Sequence, residues 1–174
     1  MATSSLRKTS PMLVASNTSP ISNLAIIGRL DLLRVQFREI WIPTAVDSEL
    51  KHLSHHAALD HIQSALHDGW IKPRAIRDDK LARLLAATLD PGEAEAIALA
   101  LELPADLILL DEKDGRSAAV GAGLRVTGVL GVLLRAKVAG QIQLLRPEIE
   151  ALRTQAHFFL SPRLLGQAFE IAGE

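Results

Sequence analysis

The sequence predicts an α/β fold in which a mostly parallel sheet is covered by helices. Two observations carry this expectation. Apolar runs of strand length alternate with helical patterns along the chain. Asn17 and Asp111 each follow such a run directly, at the place where a parallel sheet presents its carboxyl rim. Size supplies the third constraint: 174 residues, 48% of them hydrophobic, suffice for one substantial core and do not argue for two. A single domain over residues 11–174, including a C-terminal helix, is therefore expected, behind a flexible polar segment, residues 1–10, that carries Arg7 and Lys8.

The first strand is the run at 12–15, just before Ser16 and Asn17. Ser19 and Pro20 cap and open a helix that closes at Gly28, and a second short helix covers 30–37. The next strand is 39–42. Pro43 then opens a helix in which Val46, Leu50 and Leu53 recur at helical spacing, leaving Asp47, Glu49 and Lys51 on other faces. A further helix at 58–67 ends at Gly69, and Trp70 and Ile71 begin a short strand. Leu81, Leu84, Leu85 and Leu89 form a helical stripe, followed by a break at Pro91 and Gly92. Residues 93–101 are helical by their alanine and leucine content. A strand at 107–110, a helix at 116–122, a strand at 124–127 and a helix at 129–139 complete the alternation. Ser161 and Pro162 start a last helix that runs to about Ala172. The chain shows no internal repeat and no low-complexity segment.

Composition excludes several classes of chemistry. Aromatic residues are only 3%, so there is little material for stacking bases, and any nucleic acid would be held mainly through its phosphates. A net charge of -1 requires any basic binding surface to be local. The absence of cysteine removes disulfides, thiolate metal sites and cysteine nucleophiles. The first apolar run is too short for a signal-peptide core, and the most apolar later stretch, 126–139, carries Arg135 and Lys137 and is shorter than a membrane span. The expected setting is cytoplasmic, with no membrane partner.

Asn17, Glu49, Glu93 and Asp111 are the candidate site. Two stand at strand ends and two on helices, all oxygen donors, which suits a hard ion such as Mg²⁺ that uses one or two carboxylates and keeps several waters. Each also has a structural reading. Asp90 and Glu93 match a capping box, Asp111 can simply end its strand, and Glu49 can be a solvated helix residue. Glu95 cannot share the helical face of Glu93, so at most one of the two is a direct ligand.

Three segments taken together decide between these readings. LVASNTSPISNL at 13–24, LDPGEAEAIALA at 89–100 and LLDEKDGR at 109–116 resemble the PIN-domain superfamily, specifically a branch of small prokaryotic PIN-like proteins described as predicted nucleic-acid-binding proteins. The resemblance runs in order from about Leu13 to Gln143, and the tail at 158–173 is similar to that branch as well. It implies a Rossmann-like three-layer α/β/α sandwich and, in active members, a ribonuclease dependent on Mg²⁺ or Mn²⁺. Many such proteins are toxins of toxin–antitoxin pairs and commonly form homodimers. By position, Asn17 corresponds to the acidic residue after the first strand, Glu49 to that on the helix after the second, Glu93 to that opening the central helix and Asp111 to that after the fourth strand. Asp114 is a further candidate.

Asn17 departs from the usual aspartate. Its carbonyl can still coordinate a hard cation but adds no charge, so metal affinity should fall. The implied partner is RNA, with an antitoxin protein as a second one. The implied reaction is phosphodiester hydrolysis, with Thr18 and Ser19 as supporting hydroxyls and Lys113 and Arg116 placed to meet phosphates. A catalytically weak or inactive RNA- or protein-binding module is the alternative.

Other signals are weaker. Lys72, Arg74, Arg77, Lys80 and Arg83 form a basic stretch read first as solvated surface and second as RNA contact. His52 and His56 share a helical face beside His55, which raises zinc as an option, although no further ligand accompanies them. Gly121 and Gly123 precede a strand, the reverse of a dinucleotide fingerprint, and read as a turn. Phe158 and Phe159 either pack on the core or form a partner surface.

Overall fold

Five parallel strands, in the order β3-β2-β1-β4-β5, form the central sheet of the computed structural model, which describes residues 11–174. The predicted flexible segment, 1–10, lies outside the described residues. The elements are β1 (Val14–Ser16), α1 (Thr18–Ile26), α2 (Asp31–Phe37), β2 (Ile40–Ile42), α3 (Thr44–Lys51), α4 (His56–His67) and β3 (Ile71–Pro73). There follow α5 (Lys80–Leu85), α6 (Pro91–Glu102), β4 (Leu107–Leu109), α7 (Lys113–Gly121), β5 (Val126–Thr127), α8 (Val129–Val138), α9 (Arg146–Gln155) and α10 (Pro162–Ala172).

Side chains alternate across the strands, so each sheet face has its own core. Val14, Ile40, Ile42, Ile71, Leu107 and Leu109 point to the side covered by α1, α2, α4, α8 and α9. Ala15, Ile108 and Leu110 point to the other side, where they pack with Ala96, Ile97 and Ala100 of α6 and Ala119 of α7. Both faces of the sheet are covered, so β1 and β4 are buried along their whole lengths. Parallel neighbours require crossover helices, and the chain supplies one or two helices between every pair of strands.

Strand order positions the site. From β1 the chain adds β2 and then β3 on one side, after which β4 crosses back to the other side of β1. The direction of winding therefore reverses between β1 and β4, and a crevice at such a reversal is where open α/β sheets bind ligands. Ser16 pairs with Leu109, so Asn17 and Asp111 leave adjacent strands at the same rim.

Several boundaries differ from expectation for identifiable reasons. Pro91 and Gly92 do not break the helix; they form its first turn, because Asp90 caps it and proline fits the first helical position. Helix α7 starts at Lys113, earlier than expected, and β5 shortens to Val126–Thr127. Leu89 leaves the α5 stripe and is buried in the second core cluster. Helix α9 was not expected at all. Only Ile149 and Leu152 among its residues are buried and apolar, and its N-terminus is served by a distant group: the Glu174 carboxylate accepts from the Leu145 and Arg146 amides at 2.6 and 3.1 Å. A part-buried two-bond pair, Arg29 to Glu148 at 2.9 and 2.6 Å, ties α9 to the α1–α2 turn. Among the described residues, no helix is long and apolar enough to cross a membrane.

Candidate functional site at the carboxyl rim

Asn17 ends β1 and begins α1. Its amide donates to Leu109 O at 3.1 Å, which locks it to β4, but its side chain does not cap the helix. The residue is buried, and Oδ1 has no hydrogen-bond donor. Glu49 comes from α3 and reaches the same place: its Oε2 accepts from the Thr18 hydroxyl. Gly92 reveals the convergence. A Cβ added there would stand 2.8 Å from Glu49 Oε1 and 2.9 Å from Asn17 Oδ1, so both oxygens lie against one bare backbone position.

Glu93 resolves its two readings by using one oxygen for each. The capping box is present, with the Glu93 amide donating to Asp90 Oδ1 at 2.8 Å and the Asp90 amide to Glu93 Oε2 at 3.4 Å. That leaves Glu93 Oε1 buried without a donor, 2.7 Å from where a Gly115 Cβ would be. Glu93 is 4% exposed and lines a cavity of about 440 Å³ with Ser19, Thr88, Asp90, Glu112, Lys113 and Asp114. Burial raises its pKa first, and the charges of Asp90, Glu112 and Asp114 add to the rise against the stabilising amide bond. A carboxylate held among like charges is poised to gain from a cation.

Asp111 follows β4 and serves α8 from a distance. Its Oδ1 accepts the Val129 amide at 2.8 Å, in the first turn of that helix, while Oδ2 is buried without a donor. Arg116 lies alongside and donates to Leu110 O at 2.8 Å, so its guanidinium is engaged with its own loop. Asp111 lines a different cavity, about 330 Å³, with Arg116, Thr127, Leu130, Leu134 and Phe158 among its walls. Burial pushes the carboxyl up to about 6, outweighing the Val129 amide, Arg116 and Asn23, with Glu112 adding to the rise.

The sign of the consequence follows from linkage. With a folded-state value above the ordinary 3.8, the favourable contribution of this carboxyl is fully present below about pH 3.8 and is lost as pH rises through about 6. A charged Asp111 at neutral pH therefore costs on the order of 3 kcal/mol. Metal-free Asp111→Asn is expected to exceed the parent in stability by up to about that amount at neutral pH, with no such gap near pH 3. Denaturant titrations at the two pH values measure it, and an equal gap at both would remove burial as the cause.

The structure thus brings Asn17 and Glu49 together, sets Glu93 three chain positions from Asp90 and one from Gly92, and turns Asp111 partly toward α8. Thr18 supports Glu49, whereas Ser19, Lys113 and Asp114 share the Glu93 cavity. Among the described residues, no three histidine, aspartate or glutamate side chains stand close enough to hold one ion. His55 caps α4 by accepting the Ala58 amide at 3.1 Å, and His52 Nδ1 lies 2.7 Å from Ser48 O, which returns that cluster to structural roles.

Sequence reasoning missed three glycines. Gly92, Gly115 and Gly128 each leave room for an oxygen of the quartet, and Gly128 does so where its Cβ would strike Asp111 Oδ1. Gly92 directly precedes Glu93 and Gly115 follows Asp111 by four residues, whereas Gly128 lies 17 residues beyond Asp111, and none of these spacings is a signal by itself. Glu95 also has a definite role. Its Oε2 accepts the Ala45 amide at 3.0 Å, so α6 holds the first turn of the helix that carries Glu49.

A family model described as a PIN domain matches residues 13–174, nearly the whole chain. The chain belongs to the PIN-domain family. No curated protein is significantly similar to it. PIN domains are generally nucleases and typically use divalent metals. The five-stranded parallel sheet between helices is the three-layer α/β/α fold this membership implies.

In this PIN domain the donor set matches a hard ion in chemistry. Asn17 Oδ1, Glu93 Oε1 and Asp111 Oδ2 are buried acceptors without donors, all of them oxygen, and buried polar atoms are normally paired. Such a set suits Mg²⁺ or Mn²⁺ with waters and substrate phosphate completing the shell better than zinc. Asn17 adds an oxygen to this rim but no charge.

Proposed function

We propose that this PIN domain is a metal-dependent ribonuclease that hydrolyses RNA phosphodiester bonds with Mg²⁺ or Mn²⁺. The observation that carries the reading is the set of three buried, donorless oxygens at the rim where the sheet reverses its winding. A bound divalent ion would supply polarisation of the phosphodiester and a more acidic water. Glu93 and Asp111 would hold that ion, and Asn17 would add a neutral oxygen. Glu49, fixed by the Thr18 hydroxyl, orients the attacking water and accepts its proton. Lys113 meets a substrate phosphate beside the Glu93 cavity.

The same reading makes the protein a single cytoplasmic domain over 11–174 that works as a homodimer and as the toxin of a toxin–antitoxin pair. Exposed Val138, Phe159 and Ile171 support an apolar contact between copies, which light scattering in solution tests directly. Co-purification with the product of a neighbouring small gene tests the antitoxin.

The expected result is slow but detectable Mn²⁺-dependent cleavage, increased about tenfold or more by Asn17→Asp, with tighter Mn²⁺ binding in calorimetry. An Asn17→Asp protein unchanged in both would remove Asn17 from the centre. A second reading, a catalytically weak RNA- or protein-binding module, is favoured by the neutral Asn17 and by the commitment of Asp111 Oδ1 to α8. RNA binding without cleavage by either protein under both metals would establish it.

A further inference from the structure

The second face of the sheet changes character along a single cross-strand row. Strand register aligns Lys72, Trp41, Ala15, Ile108 and Val126 side by side. Helices α6 and α7 cover the apolar members Ala15 and Ile108. At the β3 edge the row ends instead in a tryptophan and a lysine, both half-buried. Arg74 lies two residues beyond Lys72, hence on the same face. Its amide donates to Ile42 O at 2.8 Å, which places it at the carboxyl rim, next to Pro43 and the start of α3.

Both cations stand over the same ring. Lys72 Nζ is 5.3 Å and Arg74 Cζ 5.8 Å from the Trp41 centroid. They differ in what else they touch. Lys72 is bound to Glu39 at 2.7 Å, so its charge is matched. Among the described residues no carboxylate pairs with Arg74, and its guanidinium makes no hydrogen bond. A half-buried guanidinium with five free donors, held within cation–π reach of an aromatic ring, loses less entropy when an anion arrives than a freely solvated one. Two carboxylates of α6 are occupied elsewhere: Glu95 by the Ala45 amide and Glu102 by the Arg77 and Asp78 amides.

We propose that Arg74, oriented by the Trp41 ring, is a backbone-phosphate contact for single-stranded RNA on the β2–β3 side of the rim. The site lies two strands away from Asn17 across the sheet, so it holds nucleotides flanking the scissile bond and not the bond itself. This rests on the RNA reading above, and it adds a place where the strand is gripped independently of the metal. Arg77 and Lys80 follow Arg74 in the chain and are exposed, whereas Arg83 is paired with Asp79 and takes no part.

The test is RNA binding in EDTA, with a labelled single-stranded oligouridylate, across a series of salt concentrations. Arg74→Ala is expected to weaken binding about tenfold and to reduce the salt slope by about one. Arg125→Ala, which removes equal charge at the opposite edge of the sheet, leaves both unchanged. RNA is also expected to change the emission of Trp41, an effect lost in Trp41→Phe while Trp70 still reports a folded core. Equal affinity and slope for the parent and Arg74→Ala would overturn the site, even where Glu93→Gln abolishes cleavage and the ribonuclease reading stands. Binding lost equally in Arg74→Ala and Arg125→Ala would also overturn it, since charge alone would then be responsible.

Discussion

Glu93→Gln abolishes divalent-metal-dependent RNA cleavage, an expected loss of at least about 100-fold, without unfolding the protein. Two features separate chemistry from folding at this position. Glutamine can still complete the capping box, because its carbonyl can accept the Asp90 amide that Glu93 Oε2 now accepts. Removing the charge also relieves the repulsion from Asp90, Glu112 and Asp114 and the burial that together raise the Glu93 pKa. By linkage, a group with a raised folded-state pKa loses its favourable contribution as pH rises through that value, so the neutral side chain should be no less stable near pH 7. Cleavage rates with Mn²⁺, measured beside thermal melts, give both numbers. Full activity in Glu93→Gln would mean that the orphaned Oε1 is not a ligand.

The second large effect comes from a residue with no side chain. Gly92→Ala places a methyl group 2.8 Å from Glu49 Oε1 and 2.9 Å from Asn17 Oδ1, closer than such contacts normally come. What gives way is the far end of each side chain, since the backbone is fixed by α6 and its cap. Alanine is also favoured over glycine in a helix by up to about 1 kcal/mol. The expected outcome is therefore a fold of nearly unchanged stability whose Mn²⁺ affinity and cleavage fall about tenfold or more, because the ligands are displaced. Gly121→Ala, whose Cβ would meet nothing within 4 Å, serves as the control. Equal activity in the two variants would sink the idea that Gly92 shapes the centre.

Much of the fold was legible because its signals are local. The alternation of short apolar runs with 3.6-residue patterns identified all five strands, and the Asp90 to Glu93 spacing identified the start of α6 once proline was read as an opener. Helix α9 was illegible because its support is remote. Glu174 caps it from 29 residues away and Arg29 neutralises its buried Glu148 from 119 away, and no window of sequence contains either pair. The basic stretch from Lys72 to Arg83 was likewise read as one surface, although tertiary contacts divide it into paired and unpaired charges.

The candidate site divides along the same line. Sequence by itself nominated the candidate residues: an asparagine and an aspartate after buried runs, and glutamates on helices. Residue type and strand position are properties of neighbours along the chain. Only the tertiary structure decided how each oxygen is used. Glu93 divides its two between a helix cap and an empty acceptor position, Asp111 gives one to α8, and Asn17 and Glu49 meet over Gly92. Those assignments depend on where α3, α6 and α8 pack against the rim, and packing between distant segments is set by burial and hydrogen-bond satisfaction that no local pattern encodes.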